Sequence, residues 1–65
     1  MAASDEDIRR VAYLWMRAHG DKALERARGV LDSTRRSGDG DGVQMWLRVV
    51  GIIVALGGVV PSDLH

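Results

Sequence analysis

Residues 43–56 read VQMWLRVVGIIVAL and form the most apolar segment of the chain. At ~100° per residue, the large apolar side chains of a helix here fall into two neighbouring stripes. One stripe contains Val43, Trp46, Leu47, Val50, Ile53 and Val54, and the other contains Met45, Val49, Ile52 and Leu56. Together they cover more than half of the circumference, which is wider than the apolar face of an ordinary surface helix. The segment predicts a central helix over 42–56 whose apolar surface flanking helices cover only in part.

A first amphipathic helix is predicted over 5–19. Ser4 is expected to cap its start, with Asp7 at the spacing of the acidic partner of such a cap. The apolar face is expected to contain Ile8, Val11, Ala12, Trp15 and Ala18, widened by Leu14 and Met16. Gly20 is expected to end this helix in a left-handed conformation.

A second helix is predicted over 22–36, with Asp21 as its N-cap. Its inner stripe is expected to contain Ala23, Leu24, Ala27, Val30, Leu31 and Thr34. Gly29 in the middle costs ~1 kcal/mol relative to alanine and is a point where the helix could bend. The connector SGDGDG, residues 37–42, follows, and Asp41 is expected to cap the third helix.

The pattern as a whole predicts an all-α fold, a compact three-helix bundle formed by a single domain over 1–65 with flexible ends at 1–3 and 62–65. Trp15 and Trp46 are expected to pack on each other in its core; the alternative is that one of them is an exposed interface anchor. A 65-residue chain has a small core and is marginally stable alone. Because it contains no cysteine, disulfides cannot stabilise it, and self-association is the expected substitute.

Charge and hydropathy favour a cytoplasmic protein without a membrane span. Nine basic and nine acidic residues cancel, so the overall positive charge of a dedicated nucleic-acid binder is absent. The amino terminus lacks a basic region followed by an apolar run, which predicts no secretory signal. The longest apolar run, residues 49–60, is far shorter than the ~20 residues that a spanning helix needs.

No constellation of residues predicts catalysis, a cofactor or a metal, and we expect the protein not to be an enzyme. Ser37, Asp39 and Asp41 resemble the start of a calcium loop. Position twelve of that loop needs a glutamate and is Arg48 here, so a turn with a helix cap is the favoured interpretation. His19 lacks a partner that would orient it for acid–base work and is interpreted as a structural residue at a helix end.

The sequence therefore predicts a non-enzymatic protein-interaction module that self-associates, for example as a homodimer, or docks on a larger protein. The expected interface lies on the third helix and contains Met45, Val49, Ile52 and Leu56, with Gly51 and Ala55 permitting close approach. One alternative is a small nucleic-acid-associated regulator, whose candidate phosphate contacts are Arg26, Arg28, Arg35 and Arg36. Another alternative is a small inhibitor or adaptor protein from a mobile element.

Several short motifs also occur together in this chain. A helix ends in His-Gly-Asp at 19–21, an alanine-rich helix follows, and a Gly-Asp turn at 38–39 precedes a helix with Trp46 and spaced aliphatic residues. In these features, over about 7–56, the chain resembles a family of short uncharacterised helical proteins from alphaproteobacteria, a domain of unknown function. The resemblance implies a bacterial helical protein and no particular activity. The chain departs from the family at 50–54, where charged residues are more usual.

Overall fold

The computed structural model describes residues 4–57, and this part of the chain is all-helical, with no strand. Helix α1 spans Asp5–His19, a 3-10 turn spans Gly20–Lys22, α2 spans Ala23–Ser37 and α3 spans Gly40–Ala55. The radius of gyration of 11.5 Å is close to the ~11 Å of a compact chain of this length. The prediction of a compact all-α fold is confirmed. The ends predicted to be flexible, 1–3 and 62–65, lie outside the described residues.

Helix α1 begins and ends at the predicted residues. The Oγ of Ser4 accepts a hydrogen bond of 3.2 Å from the backbone N–H of Asp7, which confirms the cap. Gly20 has φ 58° and ψ −127°, and its N–H donates to the carbonyl of Met16. The positive φ was expected, but the ψ lies outside the left-handed helical region because the chain continues at once into the 3-10 turn.

The junction between α1 and α2 differs from the prediction that Asp21 caps α2. Asp21 lies inside the 3-10 turn, and the N-cap position belongs to Lys22, whose side chain makes no capping hydrogen bond. The N–H of Ala23 donates to the carbonyl of Gly20 instead. Because backbone carbonyls of the turn satisfy N–H groups at the start of α2, no side-chain cap is required there. The first two helices are therefore joined without a loop.

The junction between α2 and α3 is a two-residue turn. Gly38 is left-handed, with φ 79° and ψ 17°, and the N–H groups of Gly38 and Asp39 donate to the carbonyls of Arg35 and Thr34 at 3.2 and 3.3 Å. Asp39 is extended and accepts a 3.0 Å hydrogen bond on Oδ1 from the N–H of Gly42. Asp39 is thus the N-cap, and the prediction that Asp41 caps α3 was wrong. The helix consequently begins at Gly40, before the predicted position 42.

The core lies where all three helices meet, and α3 contacts both of the others. Each helix contributes two or three fully or almost fully buried side chains. They are Ile8, Ala12 and Met16 on α1, Ala23, Ala27 and Leu31 on α2, and Val49 and Ile53 on α3. Three of these eight are alanines, so the helices approach closely but the buried apolar volume is small. Helix α2 runs through Gly29 without interruption.

Candidate interaction surfaces

The inner side of α3 includes part of the predicted interface. Val49 is completely buried and packs with Ile53 where the two predicted stripes adjoin. Met45, Ile52 and Leu56 are half-buried and pack against the same core. The expectation that Val49 contacts a partner is therefore corrected, because this residue has no surface left to offer.

The outer side of α3 holds two of the three large apolar side chains that are exposed within residues 4–57; the third is Leu14 on α1. Leu47 and Val54 are 43% and 54% exposed, and Gly51 and Ala55 are exposed between and beside them. At ~100° per residue these four positions lie within an arc of about 100° and form one continuous strip, which we call the outer α3 face. Gly51 and Ala55 belonged to the predicted interface. Leu47 and Val54 were missed, because the sequence does not say which part of a wide apolar arc the flanking helices cover.

Within residues 4–57, no contact and no backbone conformation requires a glycine at position 51. A Cβ atom at this position would have no heavy atom within 4 Å apart from its own chain neighbours and helix backbone, and the φ angle is not positive. An interior helical glycine costs ~1 kcal/mol relative to alanine. Packing and backbone geometry within residues 4–57 do not explain that cost. A surface glycine of this kind is suited to close approach by another backbone.

The charge on the outer α3 face is small. Residues 42–57 contain no acidic side chain, and their one cation, Arg48, forms an ion pair with Asp5 of α1. Both side chains remain half exposed or more, so the pair adds little to stability. Its relevance is electrostatic: the positive charge at the edge of the face is compensated within the chain.

The structure does not bring the four candidate phosphate-binding arginines together. All four are exposed on α2. At ~100° per residue, Arg28 and Arg35 share one flank of the helix, whereas Arg26 lies on the opposite flank, about 180° away. Arg36 points away from both flanks and pairs with Asp32 at 2.6 Å. A continuous basic stripe that follows a phosphate backbone is therefore absent from this helix.

Trp15 and Trp46 contact each other, as predicted, but both are only partly buried and pack against the core instead of inside it. Their ring centroids are 4.9 Å apart at an interplanar angle of 71°, an edge-to-face arrangement. The indole N–H of Trp15 also donates to the carbonyl of Ala23 at 2.9 Å, and His19 packs against the same ring at 4.1 Å. Trp15 thus links all three helices, and its ring orientation is fixed from three sides.

An open groove of about 350 Å³ lies between α1 and α2. Trp15 and His19 form its α1 side. Its α2 side is the stripe formed by Arg26, Gly29, Val30 and Ser33. Gly29, like Gly51, has an ordinary helical backbone and open space where a Cβ would lie. The sequence offered no signal for this groove beyond the unexplained glycine in the middle of α2.

The described residues contain no group of three histidine, cysteine or acidic side chains that could hold a metal ion. Asp39, in the calcium-like connector, uses its carboxylate to cap α3. No helix within residues 4–57 is both long enough and apolar enough to cross a membrane.

Comparisons with protein-family models, with curated proteins and with solved structures find no match to this chain.

Proposed function

We propose that this protein is a non-enzymatic protein-interaction module that forms a homodimer through the outer α3 face. The observation that carries the proposal is the exposure of Leu47 and Val54 around Gly51, a glycine that costs helix stability and that nothing within residues 4–57 requires. A partner helix crossing at Gly51 would bury the side chains of Leu47 and Val54. Its close approach would also explain why a glycine stands at position 51.

A second copy is the partner that best fits this face. In a two-fold symmetric contact the same strip meets itself, so Gly51 would lie close to Gly51 of the other copy and the two helix axes could approach closely. Such a contact would bring two Arg48 residues near each other. Because each is already paired with Asp5, the repulsion between them is reduced. The core is small, with three alanines among eight buried residues, so burial of further apolar surface by association would stabilise the folded chain.

The expected dimer is weak. Helix α3 has 16 residues and is therefore about 24 Å long, so a strip along it buries on the order of a few hundred Å² per copy. Standard stable interfaces bury ~800 Å² per partner. We therefore expect a dissociation constant between about 10 µM and 1 mM, which corresponds to roughly 4 to 7 kcal/mol of association free energy.

The proposal includes three further elements. The three helical segments act as a compact three-helix bundle that presents α3. The setting is bacterial and cytoplasmic, in keeping with the resemblance to the alphaproteobacterial helical family. The protein needs no cofactor, and its activity consists of binding alone. The alternative is that the outer α3 face binds a larger protein. The test below distinguishes this alternative from binding to a second copy.

The test compares Val54→Lys with Leu14→Lys. Leu14 is 58% exposed on α1, so the two variants add the same charge at similarly exposed sites, one on the outer α3 face and one away from it. Ile52 is unsuitable for this purpose because it packs against the core. Sedimentation equilibrium from 10 µM to 1 mM measures the mass, and circular dichroism checks that both variants remain helical.

The proposal expects the wild type and Leu14→Lys to pass from monomer to dimer mass over this range, whereas Val54→Lys stays monomeric with unchanged helicity. A wild type that remains monomeric at 1 mM would overturn the dimer and leave a different protein as the occupant. Equal dimerisation of Val54→Lys would show that the contact lies elsewhere.

A further inference from the structure

We infer that the groove between α1 and α2 is a binding site for a small planar carboxylate. Arg26 supplies the positive charge at its edge. None of the residues that line the groove is acidic, and Arg26 forms no ion pair within residues 4–57. The guanidinium therefore keeps its donors available, in the planar fork that binds carboxylates through two parallel hydrogen bonds.

Trp15 supplies a rigid apolar wall. Its indole N–H is already bonded to the carbonyl of Ala23, and the edge-to-face contact with Trp46 and the tilted ring contact with His19 hold the ring in place. A ligand that packs here does not have to order a mobile aromatic side chain, which lowers the entropic cost of binding. Val30 on α2 adds a second apolar contact.

Gly29 is one of the residues that line the groove. It lies on the same stripe of α2 as Arg26 and Ser33, and a Cβ at this position would have no heavy atom within 4 Å beyond its chain neighbours and helix backbone. Nothing in the packing of residues 4–57 requires a glycine there. Ser33, one turn further along, offers a hydroxyl to a ligand. The hydroxyl of Thr34 already donates a 2.7 Å hydrogen bond to the carbonyl of Val30.

These features together select the ligand chemistry. A flat apolar body matches the Trp15 and Val30 surfaces, and one carboxylate at its end matches Arg26. A volume of about 350 Å³ lies at the lower end of the range for small-molecule sites, and the groove is open to solvent, so affinity for a single-ring ligand is expected to be modest. The site is separate from the outer α3 face and does not depend on dimerisation.

The experiment is an NMR titration with benzoate at constant ionic strength. The chain has only two tryptophans, so their two indole N–H signals report directly on the groove residue Trp15 and on Trp46. Benzamide serves as the uncharged probe of nearly the same shape. Arg26→Gln removes the proposed carboxylate contact, and Arg35→Gln removes an exposed arginine of α2 that does not line the groove. Gly29→Ala narrows the groove, and Gly51→Ala is its matched control on the outer α3 face.

The inference predicts saturable shifts of the Trp15 indole signal with benzoate, with a dissociation constant of about 1–10 mM, and at least tenfold weaker binding of benzamide. Arg26→Gln and Gly29→Ala should each weaken benzoate binding at least fivefold, while Arg35→Gln and Gly51→Ala leave it unchanged. Absence of saturation at 50 mM benzoate, or equal affinity for the two probes, would overturn the inference. An unchanged affinity in Arg26→Gln would do the same.

Discussion

Gly38 and Gly42, at the junction of α2 and α3, and Gly29 and Gly51, in the middle of helices, occupy opposite kinds of environment. At Gly42 a Cβ would lie 2.6 Å from Cγ2 of Thr34 and 2.6 Å from Oδ2 of Asp39, and Gly38 has a φ of 79°. At Gly29 and Gly51 a Cβ would meet nothing, and the backbone is ordinary helix. The fold thus accounts for Gly38 and Gly42, whereas nothing within residues 4–57 accounts for Gly29 and Gly51.

This difference separates residues that serve the fold from residues that serve a contact outside it. A glycine that the fold requires destabilises the protein when it becomes alanine. A glycine that the fold does not require should stabilise the helix when it becomes alanine, and the loss should appear in binding. The sign of the change in the free energy of unfolding therefore tells the two kinds of glycine apart.

The largest loss of stability is expected for Gly42→Ala. The new methyl group must displace both Thr34, whose hydroxyl is bonded to the carbonyl of Val30, and the capping carboxylate of Asp39. Overpacking and loss of a cap each cost about 1–2 kcal/mol, partly offset by the helix preference of alanine, so we expect a net loss of about 1.5 kcal/mol in the free energy of unfolding. Urea unfolding at low protein concentration measures it.

A double-mutant cycle with Thr34→Ser provides the control for Gly42→Ala. Serine removes the methyl group that the new Cβ would meet and keeps the hydroxyl. The cost of Gly42→Ala should fall by about 0.5 kcal/mol or more in this background, because contacting residues are not additive. Strict additivity of the two changes would contradict the close approach of α2 and α3 at this turn.

A smaller loss is expected for Gly38→Ala. No atom lies within 4 Å of the added Cβ, so the cost comes only from holding alanine in the left-handed conformation, which is about 1 kcal/mol. The thermal midpoint should fall by about 4–8 °C at concentrations where the protein is monomeric. Gly38→Asn should lose less, since asparagine tolerates this conformation better. Equal losses for alanine and asparagine would contradict the backbone explanation.

The sequence predicted the helices better than it predicted their surfaces. Ser4 and Asp7 were recognisable as a cap, and the 3.6-residue spacing of Ala23, Ala27 and Leu31 identified the buried side of α2. These features are local, so a single sequence reveals them. The sequence did not show whether Asp39 or Asp41 caps α3. The answer depends on where α2 ends, and the left-handed Gly38 ends it directly before Asp39.

The surface of α3 was not predictable for a related reason. Its apolar arc is so wide that the pattern permits several orientations, and only the packing of α1 and α2 selects Val49 and Ile53 for the core and leaves Leu47 and Val54 outside. The groove at Trp15 was missed because it arises between two helices and has no motif of its own. Gly29 and Gly51 were visible in the sequence, but their significance depends on knowing that nothing in the chain approaches them.

A contact between two copies at Gly51 can be tested by measuring the thermal midpoints of wild type, Gly51→Ala and Gly29→Ala as a function of protein concentration. A dimer stabilises the folded state by mass action, so the wild-type midpoint should rise with concentration. Gly51→Ala should be more stable than wild type by about 0.5–1 kcal/mol at 5 µM. Its thermal midpoint should nevertheless rise little as the concentration increases to 1 mM. Gly29→Ala should gain a similar amount of stability, and its thermal midpoint should rise with concentration as that of the wild type does. If Gly51→Ala and Gly29→Ala show the same concentration dependence, Gly51 has no role in a contact between copies and the account is contradicted.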